Sequence, residues 1–269
     1  VRCGRISTSE PARHGAMARA SIRFYEELND FLPASRRKRD IRLEFAAPAP
    51  ARHLIETLGV PHTEVELILV NGRSVGLEQP LADGDRVSVY PMFEALDVTP
   101  LMRLRERPLR RVRFLVDAHL GRLARYLRLL GFDTLFYNDL GDQALVRLAL
   151  AERRVLLTRD RALLMRRELT HGCYVRQGPP RAQLAALVER LDLYRQLRPF
   201  SRCMDCNGEL AAVTKAEVAV RLEPRTRRVF ERFWRCGGCG RVYWRGSHWE
   251  RMHALVDWIR RRPDQPPGP

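Results

Sequence analysis

No stretch of this sequence holds the roughly 20 consecutive apolar residues that a membrane span requires, and its first residues lack the apolar core of a secretory signal. Those absences exclude a spanning helix and make the cytoplasm the expected compartment. No Gly-x₄-Gly-Lys-Ser/Thr motif occurs, which argues against a phosphate-loop nucleotidase. Internal repeats are absent, and the only low-complexity tract is the Pro/Gly tail after Arg262. Cysteine is scarce, with six in 269 residues, and nothing points to the oxidising compartment that disulfides need.

What the chain does carry is length and positive charge. Its 269 residues are long for one compact domain and suit two or three. A hydrophobic content of 45% with 30% charged residues describes a soluble globular protein. The net charge of +16, dominated by arginine, favours a polyanionic partner, because each neutralised phosphate releases condensed counterions. An arginine- and alanine-rich composition also arises in GC-rich genomes with no polyanion to bind. Residues 1–19 read as a disordered or misassigned start, polar and aperiodic, with Met17 just ahead of the first strand-like run.

From residue 20 to residue 94 the pattern is that of a small α+β module. Residues 20–25 and 40–45 alternate as strands do, and Leu54, Ile55 and Leu58 stand at helical spacing before Gly59. Residues 65–70 read as a buried strand closed by an Asn71-Gly72 turn, and residues 86–90 as the last strand. The phrase Leu69-Val70-Asn71-Gly72 and the turn at 81–87 resemble the ubiquitin-like β-grasp fold in its small sulfur-carrier branch. Sulfur carriers end in a free Gly-Gly, whereas here Tyr90-Pro91-Met92-Phe93 runs on. The resemblance therefore implies a docking module with a protein partner, and weighs against carrier chemistry.

Residues 95–110, with Pro100, Pro108 and several arginines, read as a linker. Residues 111–198 then alternate strand and helix. Apolar runs at 111–116, 134–137, 154–158 and 173–176 are the strands. Leu120, Leu123, Leu127 and Leu130 mark the first helical face, ended by Gly131. Leu145, Leu148 and Ala149 mark the second, behind Asp142 as N-cap; residues 161–168 form the third; Leu184, Leu187, Val188 and Leu191 line the fourth. Right-handed crossovers stack such strands into a parallel sheet flanked by helices.

Two of these strands run into an aspartate, as Phe114-Leu-Val-Asp117 and Val155-Leu-Leu-Thr-Arg-Asp160. Parallel strands of one sheet present their carboxyl ends at one edge, where open α/β sheets carry their sites. Carboxylates gathered there repel one another unless a hard cation lies between them. Asp117 and Asp160 are therefore candidate Mg²⁺ or Mn²⁺ ligands for phosphodiester chemistry. A third carboxylate is expected from the turn after the second strand, with Asp142 favoured over Asp139; a pure N-cap and a turn residue are their plainer readings. Thr158 offers a hydroxyl to metal or substrate. Arg122 and Arg125 on the first helix, and Arg159 beside Asp160, are candidate phosphate contacts, though a solvated face explains such arginines as well.

Residues 199–262 contain Cys203-x₂-Cys206 and Cys236-x₂-Cys239, two knuckles that together make a tetrahedral Zn²⁺ site. Four thiolates leave no open position, so the metal is structural. Strand-like runs at 216–222 and 228–234 predict a hairpin between the knuckles, a zinc ribbon, followed by a C-terminal helix. With 14 Lys or Arg against 7 Asp or Glu over 200–262, the ribbon is basic. Trp244 and its aromatic neighbours either stack on unpaired bases or cover the zinc, and His248 either contacts RNA or is merely hydrogen-bonded. Residues 263–269 read as a disordered tail.

The run from Phe114 through Ala118-His-Leu-Gly-Arg-Leu to Gly131-Phe-Asp133, with Val155-Leu-Leu-Thr-Arg-Asp160, resembles the PIN-like "mutator-seven C-terminal" ribonuclease family. The β-grasp module, the PIN-like domain and the zinc ribbon stand in that family's order over about residues 20–255. The resemblance implies a metal-dependent ribonuclease acting on RNA, with Asp117, Asp142 and Asp160 as ligands of a PIN-type site. A fourth acidic position found in many such sites has no obvious counterpart. The alternatives are a non-catalytic RNA-binding or adaptor protein and, more remotely, a sulfur-carrier-like conjugate.

Overall fold

The computed structural model describes residues 16–91 and 112–262, which belong to two compact units. The readings of residues 1–15, of the 95–110 linker and of the 263–269 tail lie outside the described residues.

The first unit contains β1 (Met17–Phe24), β2 (Ile41–Ala46), β3 (Ala49–Pro50), α1 (Ala51–Thr57), β4 (Leu67–Val70), β5 (Arg73–Val75), β6 (Pro80–Leu81) and β7 (Arg86–Tyr90). Five strands form one sheet in the order β2-β1-β7-β4-β5, with β1 and β7 parallel at its centre and the other pairs antiparallel. Period-two alternation drives this pairing: β1 buries Ala18, Ala20, Ile22 and Phe24 and leaves the residues between them more open. Helix α1 closes the core with Ala51, Leu54 and Ile55. Asn71 and Gly72, at φ 51° and 80°, make the tight hairpin turn between β4 and β5. This is the β-grasp arrangement. One boundary needs correcting, because residues 17–19, read as part of the start, belong to β1.

The second unit begins with β8 (Phe114–Val116), α2 (Gly121–Leu129), β9 (Thr134–Phe136), α3 (Asp142–Ala151), β10 (Val155–Thr158), α4 (Arg161–Leu164), β11 (Gly172–Tyr174) and α5 (Pro180–Arg190). The four strands are all parallel, in the order β11-β10-β8-β9. Both faces of the sheet are covered, which is why β8 is an unbroken apolar run and β10 is one as far as Leu157. Phe114, Val116 and Leu157 face a core shared with Leu123, Leu127, Leu184 and Val188. Leu115 and Leu156 face the other way, toward Leu145, Val146, Leu163 and Leu169.

Beyond α5 come β12 (Leu210–Val213), α6 (Lys215–Val218), α7 (Pro224–Val229), β13 (Phe233–Cys236), β14 (Val242–Trp244) and α8 (Ser247–Arg260). Strands β12, β13 and β14 form an antiparallel ribbon. Helix α8 leaves it and buries Leu255, Val256 and Ile259 in the same core as β8 and α2. Three such side chains contribute on the order of 2 kcal/mol each.

Three local expectations change. Residues 216–222, read as a strand, are helix α6 and a 3₁₀ turn, and residues 224–229 are helix α7. Thr214 and Glu217 form a reciprocal capping box that starts α6, and Pro224 opens α7. The third helix ends at Leu164 instead of 168; one turn beyond the buried Leu163 and Leu164 stand Arg167 and Glu168, which cannot follow them inward. Gly141, not Asp142, occupies the cap of α3, because its carbonyl already accepts the Ala144 and Leu145 amides. Asp142 is the first helical residue, where the helix dipole favours its charge.

Candidate active site and metal centre

The topology sets three acidic segments along one edge. Central β8 leads into Asp117, its neighbour β10 into Arg159 and Asp160, and β9 on the other side into the turn that carries Asp139 and Asp142. Asp117 is half-buried. Its Oδ1 accepts the Ala118 amide at 2.6 Å and its Oδ2 accepts the Thr158 hydroxyl at 2.7 Å. The same Thr158 oxygen accepts the Asp160 backbone N–H at 3.0 Å. One fully buried hydroxyl therefore ties the two aspartate segments together. Within the chain it holds the two segments in place relative to each other.

Asp160 caps α4, with Oδ1 accepting the Ala162 and Leu163 amides at 2.7 and 3.3 Å. Asp139 and Asp142 are exposed, and neither carboxylate is bonded to another described residue. Arg159 is likewise exposed beside Asp160. Among the described residues, the aspartates do not form a group of three with ligand atoms within 4.8 Å of one another. The topology brings their segments to one edge without drawing the side chains into a closed cluster.

The four cysteines do form such a group. The sulfurs of Cys203, Cys206, Cys236 and Cys239 all lie within 4.8 Å of one another, with Cys203–Cys239 at 3.7 Å and Cys206–Cys236 at 3.3 Å. A tetrahedral ion with bonds of about 2.3 Å separates its sulfurs by about 3.8 Å, so the donor set fits a metal ion such as zinc. Backbone amides turn toward the sulfurs: Gly208 N–H donates to Cys206, and Gly238 and Cys239 N–H donate to Cys236. The Tyr243 hydroxyl lies 3.0 Å from Cys203 Sγ. Burial opposes ionisation of Cys203, but the Cys206 amide and the Tyr243 hydroxyl hold its thiol below the usual range. At Cys239 the Arg241 amide lowers the value, while burial and the three neighbouring sulfurs push it up to about 12. A divalent cation relieves that crowding.

The first knuckle is riveted to the parallel sheet by residues that sequence reasoning passed over. Arg128, buried on α2, donates to the Thr134 carbonyl and to the Met204 and Asp205 carbonyls of the knuckle. Asn207 accepts the Thr134 amide at 2.9 Å and donates to Asp133 at 2.7 Å. Asp133 also accepts from Arg154 at 2.8 Å. Burial raises its pKa, but the Arg154 and Asn207 hydrogen bonds outweigh that and hold the carboxyl below its ordinary value. The last carbonyls of α2, at Leu129 and Leu130, accept the Phe200 and Arg198 amides at 2.9 Å. Only the quoted run ending in Gly131-Phe-Asp133 hinted at this contact, since nothing local distinguishes a rivet from a surface polar residue.

Four of the five candidate RNA contacts share one place. Arg122, Arg125, Trp244 and His248 line a cleft of about 640 Å³ between α2, the first knuckle and the start of α8. Arg125 lies 3.6 Å from Asp205, which also pairs with Arg241, while His248 Nδ1 is 3.1 Å from the Arg251 guanidinium. Of the ribbon aromatics, Phe233 is buried and Trp249 stacks on Phe200, so both serve packing. Trp244 is 37% exposed.

Comparison with known proteins follows the same division. The family model described as Mut7-C RNAse domain matches residues 112–256, and the one described as Mut7-C ubiquitin matches residues 17–97. Among solved structures, the chain is similar to a putative molybdopterin converting factor, subunit 1, from Pyrococcus furiosus. Identity is 22%, with 28% of this chain and 99% of that one covered and a TM-score of 0.23. It is also similar to the HVO 2177 protein of Haloferax volcanii at 21% identity, over 35% of this chain and 100% of that one, with a TM-score of 0.25. No curated protein matches.

Proposed function

The chain belongs to the Mut7-C RNAse domain family, and from that premise we propose that it is a cytoplasmic, metal-dependent ribonuclease. The observation that supports this most is the Thr158 bridge, which fixes the backbone of Asp160 and the carboxylate of Asp117 beside each other at the carboxyl edge of a parallel sheet. Asp117 and Asp160 would hold a Mg²⁺ or Mn²⁺ ion there, joined by Asp142 or, failing it, Asp139 from the neighbouring turn. All are hard oxygen donors with lone pairs to spare, as such ions require. When bound, the ion lowers the pKa of a coordinated water and offsets charge on the phosphoryl group. Asp117, held from both oxygens, sets the position of the reacting phosphate; Arg159 and Arg122 supply charge to the flanking backbone. Zinc at the four cysteines is structural, and the β-grasp unit is a docking module for a protein partner.

One observation favours the adaptor reading: among the described residues, the acidic side chains do not close into a three-membered cluster. Incubating the purified chain with single-stranded RNA and Mn²⁺ or Mg²⁺ separates the two. The ribonuclease reading expects cutting that Asp117→Asn abolishes. RNA binding without turnover, or turnover that Asp117→Asn leaves intact, would sink it.

A further inference from the structure

We infer that the cleft between α2 and the ribbon is a binding subsite for an unpaired nucleotide, with its base stacked on Trp244 and its phosphates on Arg122 and Arg125. This deepens the ribonuclease reading and rests on it for the identity of the polymer. It commits the protein to single-stranded RNA.

The cleft has the size, chemistry and position for that ligand. At about 640 Å³ it lies within the range of small-ligand pockets and is too small for a duplex. Three arginines and one aspartate line it, so the charge is positive even after Asp205 has paired with Arg125 and Arg241. Arg122 is exposed and has no ion pair or hydrogen bond to another described residue. Trp244 differs from the other ribbon aromatics in the same way. Phe233 is buried, and Trp249 is fixed by Phe200, His253 and the Arg245 guanidinium 5.0 Å above it. The Trp244 indole stacks on no other ring of the described residues, although it lines a cleft already walled by Trp249. An exposed indole among guanidinium groups is what stacks a base and holds its phosphates. A duplex hides its base faces, so the site discriminates in favour of single strands.

Helix polarity links the cleft to the acidic edge. Gly121 starts α2 just after Asp117, so Arg122 lies nearest that edge and Arg125 about one turn farther along. A strand whose base rests on Trp244 thus runs along α2 past Arg125 and Arg122 toward Asp117. The subsite would hold the RNA some nucleotides away from the bond to be cut, and very short oligonucleotides should bind poorly.

The test is equilibrium binding of a single-stranded oligouridylate and of an RNA duplex to the full chain without added divalent ion, read by tryptophan fluorescence. The single strand should quench fluorescence and bind more tightly than the duplex. Trp244→Ala should weaken it roughly five- to 150-fold, the range of lost base stacking. Arg122→Glu, on an exposed helix face with nothing to unfold, should weaken it at least tenfold. Equal affinity for the duplex, or wild-type affinity in Arg122→Glu, overturns the subsite. Cleavage measured in parallel keeps the two readings apart. RNA cut normally by Trp244→Ala with unchanged binding defeats the subsite alone, whereas Trp244-dependent binding without any cutting defeats the ribonuclease reading alone.

Discussion

Replacing Thr158 with valine keeps the shape of a fully buried side chain and removes its only polar atom. Two bonds go with it: the donation to Asp117 Oδ2 at 2.7 Å and the acceptance of the Asp160 amide at 3.0 Å. A hydrogen bond to a charged acceptor contributes about 1.5–3 kcal/mol, and a neutral one about 1 kcal/mol. Asp160 is exposed, so its amide regains a bond from water, and the net loss centres on about 3 kcal/mol. Thr158→Ser retains the hydroxyl and gives up one buried methyl, for about 1 kcal/mol. Urea unfolding of the two variants, followed by far-ultraviolet circular dichroism, measures the difference. The transition of the 112–262 unit should move far more for valine than for serine, and that of the β-grasp unit should stay in place. If the two substitutions fall within about 0.5 kcal/mol of each other, the hydroxyl does not organise this edge and the argument built on it fails.

Zinc stoichiometry by plasma mass spectrometry should be one per chain, and Cys206→Ser should lose the metal and the cooperative melting of the 112–262 unit, because binding such a site supplies folding free energy. Asp133, with its carboxyl held low, contributes stability that is fully present above its unfolded value near 4 and drains away as pH falls through the lower folded value. Asp133→Asn should therefore flatten the dependence of the melting temperature on pH on the acid side; an unchanged slope would refute the assignment. Gly131 has φ 95°, and a Cβ there would come within 2.1 Å of the Arg198 carbonyl oxygen. Gly131→Ala should cost about 3 kcal/mol or more and lower the melting temperature by roughly 10 °C.

The parallel sheet was readable because its strands are short, buried on both faces and punctuated by glycine and aspartate, so composition alone separates them from helices. The knuckles were readable because their spacing has few other uses. The excursion between them was not. Val218, Val220 and Leu222 alternate as on a strand, yet Val220 is 99% exposed, while Val218 and Leu222, one helical turn apart, are buried. Two periods competed for the same residues. The Thr214–Glu217 capping box was the local sign that the helical one would win. The rivet of Arg128, Asp133 and Asn207 left no such sign, since its partners lie more than seventy positions apart and only the closed fold unites them. For the candidate site, sequence located the edge and its aspartates, but the partnership of Thr158 with both segments depends on the register of β8 against β10.

Helix α8 seals the hydrophobic face that β8 and α2 begin to build near the start of the same unit. During synthesis those leucines emerge well before the helix that completes their cover, and α5 and the ribbon lie between them in the chain. Folding of the parallel sheet is thereby tied to a helix on the far side of the ribbon in sequence, so a break within the ribbon would leave that core short of Leu255, Val256 and Ile259.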